Sequence, residues 1–308
     1  MRHNVVVGVA CFAMLVVVQA AAGEELRVMT FNLWVGGAAG GEPLERSVEA
    51  IRLAEADIVG LQETHGREVD GVRVDNGPRI AKALGWHYLD QGGRTGILSR
   101  FPIRQSTPSK WGARIAYADD RELMFFNAHF PASPYQPYQL LNIPYGDAPF
   151  IDQESQAIEW AQRSRGKQLD RLLQELEPAI ASELPVVLTG DFNEPSFQDW
   201  TARAAAAGAC PLKVEFPTTR RVVDAGMVDA WRQIFPDEVR HPGLTWTPLT
   251  LASDPKDHHD RIDFVFVSRR GVRVTAAQCV GEEGGADLWL DAWPSDHRAV
   301  VATIEIDD

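Results

Sequence analysis

Six short segments of the chain carry side chains suited to polar chemistry, and five of them sit at or just beyond apolar runs that read as strands. These five are Thr30-Phe31-Asn32, Leu61-Gln62-Glu63, Asn127-Ala128-His129, Gly190-Asp191-Phe192-Asn193 and Ser295-Asp296-His297. The sixth, Arg261-Ile262-Asp263-Phe264, opens a strand. Strand ends can converge on one rim of a sheet sandwich, which brings residues distant in sequence into one small volume. Asn32, Glu63 and Asp296 offer hard oxygen ligands suited to magnesium or manganese, with several waters retained. Asp191 can take a proton from a water, and Asn193 can orient that water or a phosphate oxygen. His129 and His297 can donate to a phosphate whose charge grows in the transition state. Asp263 is the partner that orients His297 and sustains its protonated form. Together these groups predict hydrolysis of a phosphate ester by an activated water, with a divalent cation (Mg2+, or Mn2+ or Ca2+) assisting. Each also has a plainer reading: Asn32 caps a turn, Glu63 is solvated, Asp263 only ends a strand. Six segments with the same placement outweigh those separate readings. No serine or cysteine stands beside a base in these motifs, so a covalent intermediate is not expected.

The elements that must position these groups can be read from pattern. Leu26–Phe31, Asp57–Leu61, Thr95–Ser99 and Val186–Thr189 read as strands, as do Ile262–Val267, Val272–Cys279 and Ala299–Ile306. Arg114–Ala118 and Glu122–Ala128 flank Asp119-Asp120 as a hairpin. Pro43–Ala56, begun by its proline, reads as a helix, as do Pro78–Leu84, Ile158–Leu176 and Phe197–Ala207. The order is not strict βαβ alternation. Hairpins mixed with helices predict mixed sheets stacked face to face and covered outside by helices.

The first residues read as an exported leader. Arg2 and His3 precede an apolar run from Val5 to Val18 and the small residues Ala20, Ala21 and Ala22, so cleavage is expected after Ala22. The run is too short for a permanent bilayer span, and a periplasmic or secreted protein with no stable membrane span is expected. Cys11, after Gly8-Val9-Ala10, gives only a faint lipoprotein signal, because apolar residues continue beyond it. Residues 23–308 then form one domain, with no linker or repeat, expected to act as a monomer. Removing Arg2 takes the net charge from −13 to −14. Such an acidic chain without a dense basic run argues against tight duplex binding, although bound cations can reverse the local field at a carboxylate-rich site. Outside the leader only Cys210 and Cys279 remain; they can pair in an oxidising compartment or stand as two separate buried thiols. Two cysteines exclude a cysteine-ligated zinc site.

In order and spacing the motifs resemble the endonuclease/exonuclease/phosphatase superfamily, which includes deoxyribonuclease I, abasic-site endonucleases, neutral sphingomyelinases and inositol polyphosphate 5-phosphatases. The resemblance runs from Phe31-Asn32 through Gln62-Glu63, Ala128-His129-Phe130, Gly190 to Asn193 and Arg261 to Phe264, to Ser295-Asp296-His297. It implies a four-layer α/β sandwich and a magnesium ion held chiefly by Glu63. His129 places the chain nearer the deoxyribonuclease I, sphingomyelinase and 5-phosphatase branches than the abasic-endonuclease branch.

After His129 the chain departs from the simplest family pattern with a Pro- and Tyr-rich insertion, Pro131–Asp152, expected to border the substrate cleft. Its Tyr135, Tyr138, Tyr145 and Phe150 can stack a base or sugar, or cover an exposed sheet edge. Trp246 can contact substrate or pack in the core. Arg94 and Arg114 can meet phosphates or be ion-paired. Asp257-His258-His259-Asp260 has the composition of a second metal site, but reads as a polar loop because adjacent residues diverge. The leading function is a phosphodiesterase acting on nucleic acid, nucleotides or a phospholipid-like diester. The alternatives are a phosphomonoesterase for a small phosphorylated metabolite and a non-catalytic binding domain.

Overall fold

The strands that carry the polar motifs are buried along their length rather than on alternate residues. That holds for β2 (Ile58–Gln62), β10 (Val186–Asp191) and β12 (Asp263–Ser268), and for the last five residues of β1 (Glu24–Asn32). Continuous burial means that both faces of each sheet are covered. The structure, a computed structural model, describes residues 24–307. The leader over residues 1–22, with its cleavage after Ala22, lies outside the described residues.

One sheet has seven strands. Their spatial order is β14 (Leu288–Trp289), β13 (Val272–Gly281), β15 (Ala299–Ile306), β1, β2, β6 (Thr95–Ser99) and β5 (His87–Gly92). The other has six: β11 (Met227–Asp229), β12, β10, β9 (Arg121–His129), β8 (Gly112–Ala118) and β7 (Ile103–Ser106). A two-stranded ribbon, β3 (His65–Val69) with β4 (Val72–Asp75), stands beside them. Both large sheets are mixed: β1 runs parallel to β2 and β9 parallel to β10, while the other neighbours of these strands are antiparallel.

The period-two alternation of side chains sorts the apolar residues into layers. Leu26, Val28 and Ile58 from one sheet meet Ile115, Phe125, Val187 and Val265 from the other in the central core. Met29, Phe31, Val59 and Leu61 face outward under α2 (Glu45–Leu53) and α3 (Gly77–Leu84), which contribute Val48, Ile51 and Ile80. Phe126, Leu188, Phe264 and Phe266 likewise lie under α5 (Glu154–Ala181) and α7 (Pro217–Asp224), through Leu169, Leu172, Leu176 and Val222. Helix, sheet, sheet, helix is the four-layer sandwich expected from the sequence.

Towards the rim that carries the motifs the central core turns polar. Gln62 Nε2 donates to Asn127 Oδ1 at 2.6 Å, and Asn127 Nδ2 donates to the carbonyls of Leu61 and Gly96, so the two sheets are hydrogen-bonded to each other there. Gly60 makes that approach possible, since a Cβ on it would sit 2.0 Å from Thr189 Oγ1 and 2.4 Å from Asn127 Oδ1.

Several elements differ from the sequence reading in extent. The helix expected over Phe197–Ala207 contracts to α6 (Ala202–Ala206), because Thr201 takes the N-cap and its hydroxyl accepts from Ala204 N at 3.0 Å. The helix expected from Pro43 begins only at Glu45. Conversely, α5 extends well past Ile158–Leu176, opened by a Gln153/Gln156 capping box and continuing through Pro178. The Pro131–Asp152 segment contains α4 (Gln136–Leu141), which pattern alone does not reveal. Two further short helical pieces are the kinked turn α1 (Trp34–Gly37) and α8 (Ala230–Ile234), the latter capped by Asp229.

Cys210 packs against Trp200 and Phe216, whereas Cys279 lies in the core between the sheets; both are free. Of the two readings of these thiols, separate burial is the one observed. Burial pushes each thiol up to about 12. Both should therefore resist alkylation in the native protein and react together once it is denatured without reductant. An intact mass showing fewer than two added alkyl groups after that treatment would contradict free thiols.

Candidate active site

Strand register sets out the first part of the site. Asn32 pairs in register with Gln62, while Asp191 lies between His129 on one side and Asp263 on the other. The C-terminal ends of both parallel pairs therefore open on the same rim. A cavity of about 350 Å³ there has Glu63, Asp191, Asn193, Asp296 and His297 in its wall.

Asp191 is completely buried and surrounded by donors. Its Oδ2 accepts from Asn32 Nδ2 at 2.9 Å and from Asn193 Nδ2 at 3.1 Å, and its Oδ1 accepts from the Asn193 amide at 2.8 Å. His129 Nε2 and His297 Nε2 stand 3.5 and 3.8 Å from Oδ2. Burial pushes the Asp191 carboxyl above the usual range, with the His297 charge opposing. His297 is held by Asp263, whose Oδ2 lies 2.9 Å from its Nδ1. Burial opposes the imidazolium, but Asp263 and Asp191 outweigh it and push His297 up to about 10. His297 is thus a cation at neutral pH with an N–H aimed towards Asp191. A carboxylate able to accept a proton stands between two imidazoles able to donate.

Glu63 and Asp296 form a second acidic centre on the same cavity. Glu63 Oε2 accepts from the Val35 amide at 2.9 Å, and Arg94 lies 3.2 Å from it. Asp296 Oδ1 is buried with no hydrogen-bond partner, and burial, with Glu63 adding to it, pushes its carboxyl up to about 7. An orphaned carboxylate oxygen beside another carboxylate is a donor set that fits a hard divalent cation. The third expected ligand, Asn32, does not line this cavity: its Oδ1 accepts from Trp34 N at 2.9 Å and its Nδ2 donates to Asp191. Asp191, Asp263 and His297 also bring ligand-type atoms within 4.8 Å of one another. Asp191 is engaged by amide donors and His297 by Asp263 Oδ2, whereas Asp263 Oδ1, like Asp296 Oδ1, is buried with no hydrogen-bond partner.

The backbone around the cavity is strained. Among the described residues ten non-glycine positions have positive φ, and five of them, Trp34, Val35, Glu63, Arg94 and Asn193, line the cavity. Each such residue costs about 1–3 kcal/mol and persists where its surroundings hold it in place. Here the Glu63 carboxylate holds the Val35 amide and the Glu63 carbonyl accepts from Gly36 N. Gly36 itself has no alternative, since at φ +65 its Cβ would lie 2.6 Å from Gly66 N.

The insertion forms an aromatic wall. Tyr135, Tyr138 and Tyr145 line the cavity, whereas Phe150 is half-exposed outside it. Tyr135 donates to Asp260 Oδ2 at 2.6 Å, Trp200 Nε1 donates to Asp260 Oδ1 at 2.8 Å, and Tyr138 donates to Asp257. The Asp257–Asp260 segment thus anchors that wall as a polar loop. Trp246 lines the cavity too, donating to Tyr138 Oη at 3.1 Å with its ring 4.9 Å from His297. Arg94 is at the site, paired with Glu63; Arg114 is not, and pairs with Glu122 on β9.

Sequence reasoning passed over several supports. Thr245 Oγ1 accepts from the Ile262 and Asp263 amides, Ser295 Oγ donates to Asn32 O at 2.7 Å, and Trp293 Nε1 donates to His297 O at 2.7 Å. Arg261 is bidentate to Asp229 and also bonds Asp199, which fixes the start of β12. Arg261 and Ser295 had a visible signal, each standing in a short polar motif beside Asp263 or Asp296; Thr245 and Trp293 had none.

Residues 29–297 match the model of the Endonuclease/Exonuclease/phosphatase family. An uncharacterized protein of Caenorhabditis elegans is 26% identical over 296 residues, covering 90% of each chain. Among solved structures, an endonuclease/exonuclease/phosphatase from Beutenbergia cavernae superposes with a TM-score of 0.57 at 18% identity, covering 92% of this chain and 72% of that one. An AP endonuclease from Archaeoglobus fulgidus gives 0.55 at 18% identity, covering 92% and 100%. At such identities the likeness speaks for the fold.

Asp191→Asn keeps the shape and most donors' partners while removing the basic carboxylate. Single-turnover hydrolysis should slow by about two to four orders of magnitude, the usual contribution of a positioned base, with a melting temperature within a few degrees of wild type. Turnover at the parent rate would remove Asp191 from the chemistry.

Proposed function

The chain belongs to the endonuclease/exonuclease/phosphatase family, a family of phosphoester hydrolases, and on that premise we propose that it is an exported, divalent-cation-dependent phosphodiesterase acting by direct attack of an activated water. One observation carries the reading: the acidic pair Glu63 and Asp296 shares one small cavity with Asp191 and His297, and His129 stands 3.5 Å from Asp191. Glu63 and Asp296 would hold the cation. When bound, magnesium, manganese or calcium supplies Lewis-acid stabilisation of the phosphate charge.

The chain's own groups do the rest. Asp191 takes the proton of the attacking water, and Asn193, bonded to Asp191 and to Phe130 O, orients it. His129 and His297 donate N–H groups to the phosphate oxygens, where charge accumulates as the bond breaks. Asp263 keeps His297 charged and turned towards the cavity. The aromatic wall of Tyr135, Tyr138 and Trp246 excludes water and gives an organic substituent a surface to lie against. That wall favours a diester, with a substituent on each side of phosphorus, over a small monoester. Export rests on the composition of residues 1–22 alone, and predicts a processed protein beginning at Gly23.

Protein lacking residues 1–22 should cleave diesters among a panel of DNA, RNA, nucleotides, sphingomyelin and model esters, and lose that activity on chelation. Cleavage of monoesters alone, or undiminished turnover in chelator, would overturn the proposal. Glu63→Gln removes a formal charge at constant shape. Magnesium affinity by calorimetry should fall at least about tenfold, as expected for loss of a charged contact, and added magnesium should partly restore turnover. Parent-like affinity and activity at limiting magnesium would exclude Glu63 as a ligand.

A further inference from the structure

A second cavity, of about 440 Å³, opens on the far side of the Asp191–His129 pair. Asp191 is in the wall of the first cavity and His129 in the wall of the second, and their facing atoms are 3.5 Å apart. The proposed site of phosphate chemistry thus stands beside both cavities.

The two cavities differ in charge. The first holds the carboxylates Glu63, Asp191 and Asp296, whereas the second has Lys110 and Arg171 and no carboxylate in its wall. In a chain of net charge −13 that is a local reversal of sign. Neither cation makes an ion pair among the described residues; Lys110 Nζ reaches only the carbonyl of Asp90, at 3.4 Å. Gln168, also in the wall, has a buried carboxamide oxygen with no partner. Isolated exposed cations are ordinarily just solvated. Two unneutralised cations and the half-buried ring of Trp111 around one concavity form a different arrangement.

The cavity is also pre-arranged. Gln91 Nε2 donates to the carbonyls of Lys110 and Trp111 at 2.9 and 3.0 Å, and Gln91 Oε1 accepts from Asn127 Nδ2 at 2.8 Å. The segment carrying the cation and the indole is thereby tied to the polar seam between the sheets. On the opposite side, Gln168 and Arg171 project from α5, whose Leu169 and Leu172 are anchored in the outer core.

We infer that this second cavity is a subsite for the neighbouring phosphate of a single-stranded nucleic acid, with Lys110 and Arg171 on the phosphate and Trp111 against the adjoining base or sugar. The inference rests on the phosphodiesterase reading. Charge-assisted contacts to phosphate fix the register of a strand, and an aromatic face accepts any base. Two cations in one pocket suit a single added phosphate, whereas duplex binding needs a long basic stripe that this acidic chain lacks.

The test compares dithymidine monophosphate with its 5′-phosphorylated and 3′-phosphorylated forms. Binding is measured by calorimetry in magnesium on the Asp191→Asn protein, so that no probe is consumed. One of the two phosphorylated forms should bind about tenfold tighter than the parent dinucleotide, the scale of one charged hydrogen-bonded contact. The same measurement on protein that also carries Lys110→Gln and Arg171→Gln, both exposed positions, should bring that ratio to about one. Equal binding of all three probes, or a ratio that survives the double substitution, would overturn the subsite. Cleavage of dithymidine monophosphate by the wild-type protein judges the phosphodiesterase reading separately, so the two failures are distinguishable.

Discussion

A carboxylate taken fully out of water has to be met by donors, and the way Asp191 is met organises this molecule. Asn32, from the end of β1 in one sheet, donates to it across the sandwich; Asn193, on the turn after β10, donates twice. The two sheets can meet there only because the seam beneath them is polar and Gly60 leaves room for Asn127 and Thr189. The rim is consequently a fixed frame, with His129 and Asp263 in register on either side of Asp191 and His297 closing over it.

The same frame concentrates negative charge. Glu63, Asp191 and Asp296 share one small cavity, with Asp263 just behind His297, and Asp296 is pushed up to about 7 by burial with Glu63 contributing. Imidazolium and guanidinium answer part of this charge, through His297 on Asp263 and Arg94 on Glu63. Asp296 Oδ1 and Asp263 Oδ1 are both buried without a hydrogen-bond partner, and the His297 imidazole, 4.0 Å from Asp296 Oδ1, offsets only part of the Asp296 charge. Strained backbone at Trp34, Val35 and Glu63 holds that acidic edge in place against its own repulsion. The insertion completes the enclosure, because Asp257 and Asp260 fasten its tyrosines beside Trp246.

Much of this could be read from residues alone, for a physical reason. Strand ends carrying Asn32, Glu63, His129, Asp191 and His297 are short polar marks on long apolar runs, and the pattern survives in one dimension. The sandwich followed from the same apolar runs. What stayed hidden depends on three-dimensional company. Thr245 is one threonine among many until its hydroxyl is seen accepting two amides at the start of β12. The contraction of the expected Phe197–Ala207 helix turns on Thr201 winning the cap over the apolar pattern. The Asp257–Asp260 segment resembles a metal site in composition, and only its bonds to Tyr135, Tyr138 and Trp200 reveal an anchor.

In the proposed reaction water, activated by Asp191, attacks phosphorus directly, with no covalent stage. Stereochemistry at phosphorus separates this route from a covalent one. A phosphorothioate diester of known configuration, cleaved in heavy-oxygen water, should give a product carrying one labelled oxygen with inverted configuration at phosphorus. Retention of configuration would mean two successive displacements through an enzyme nucleophile, and would contradict the account.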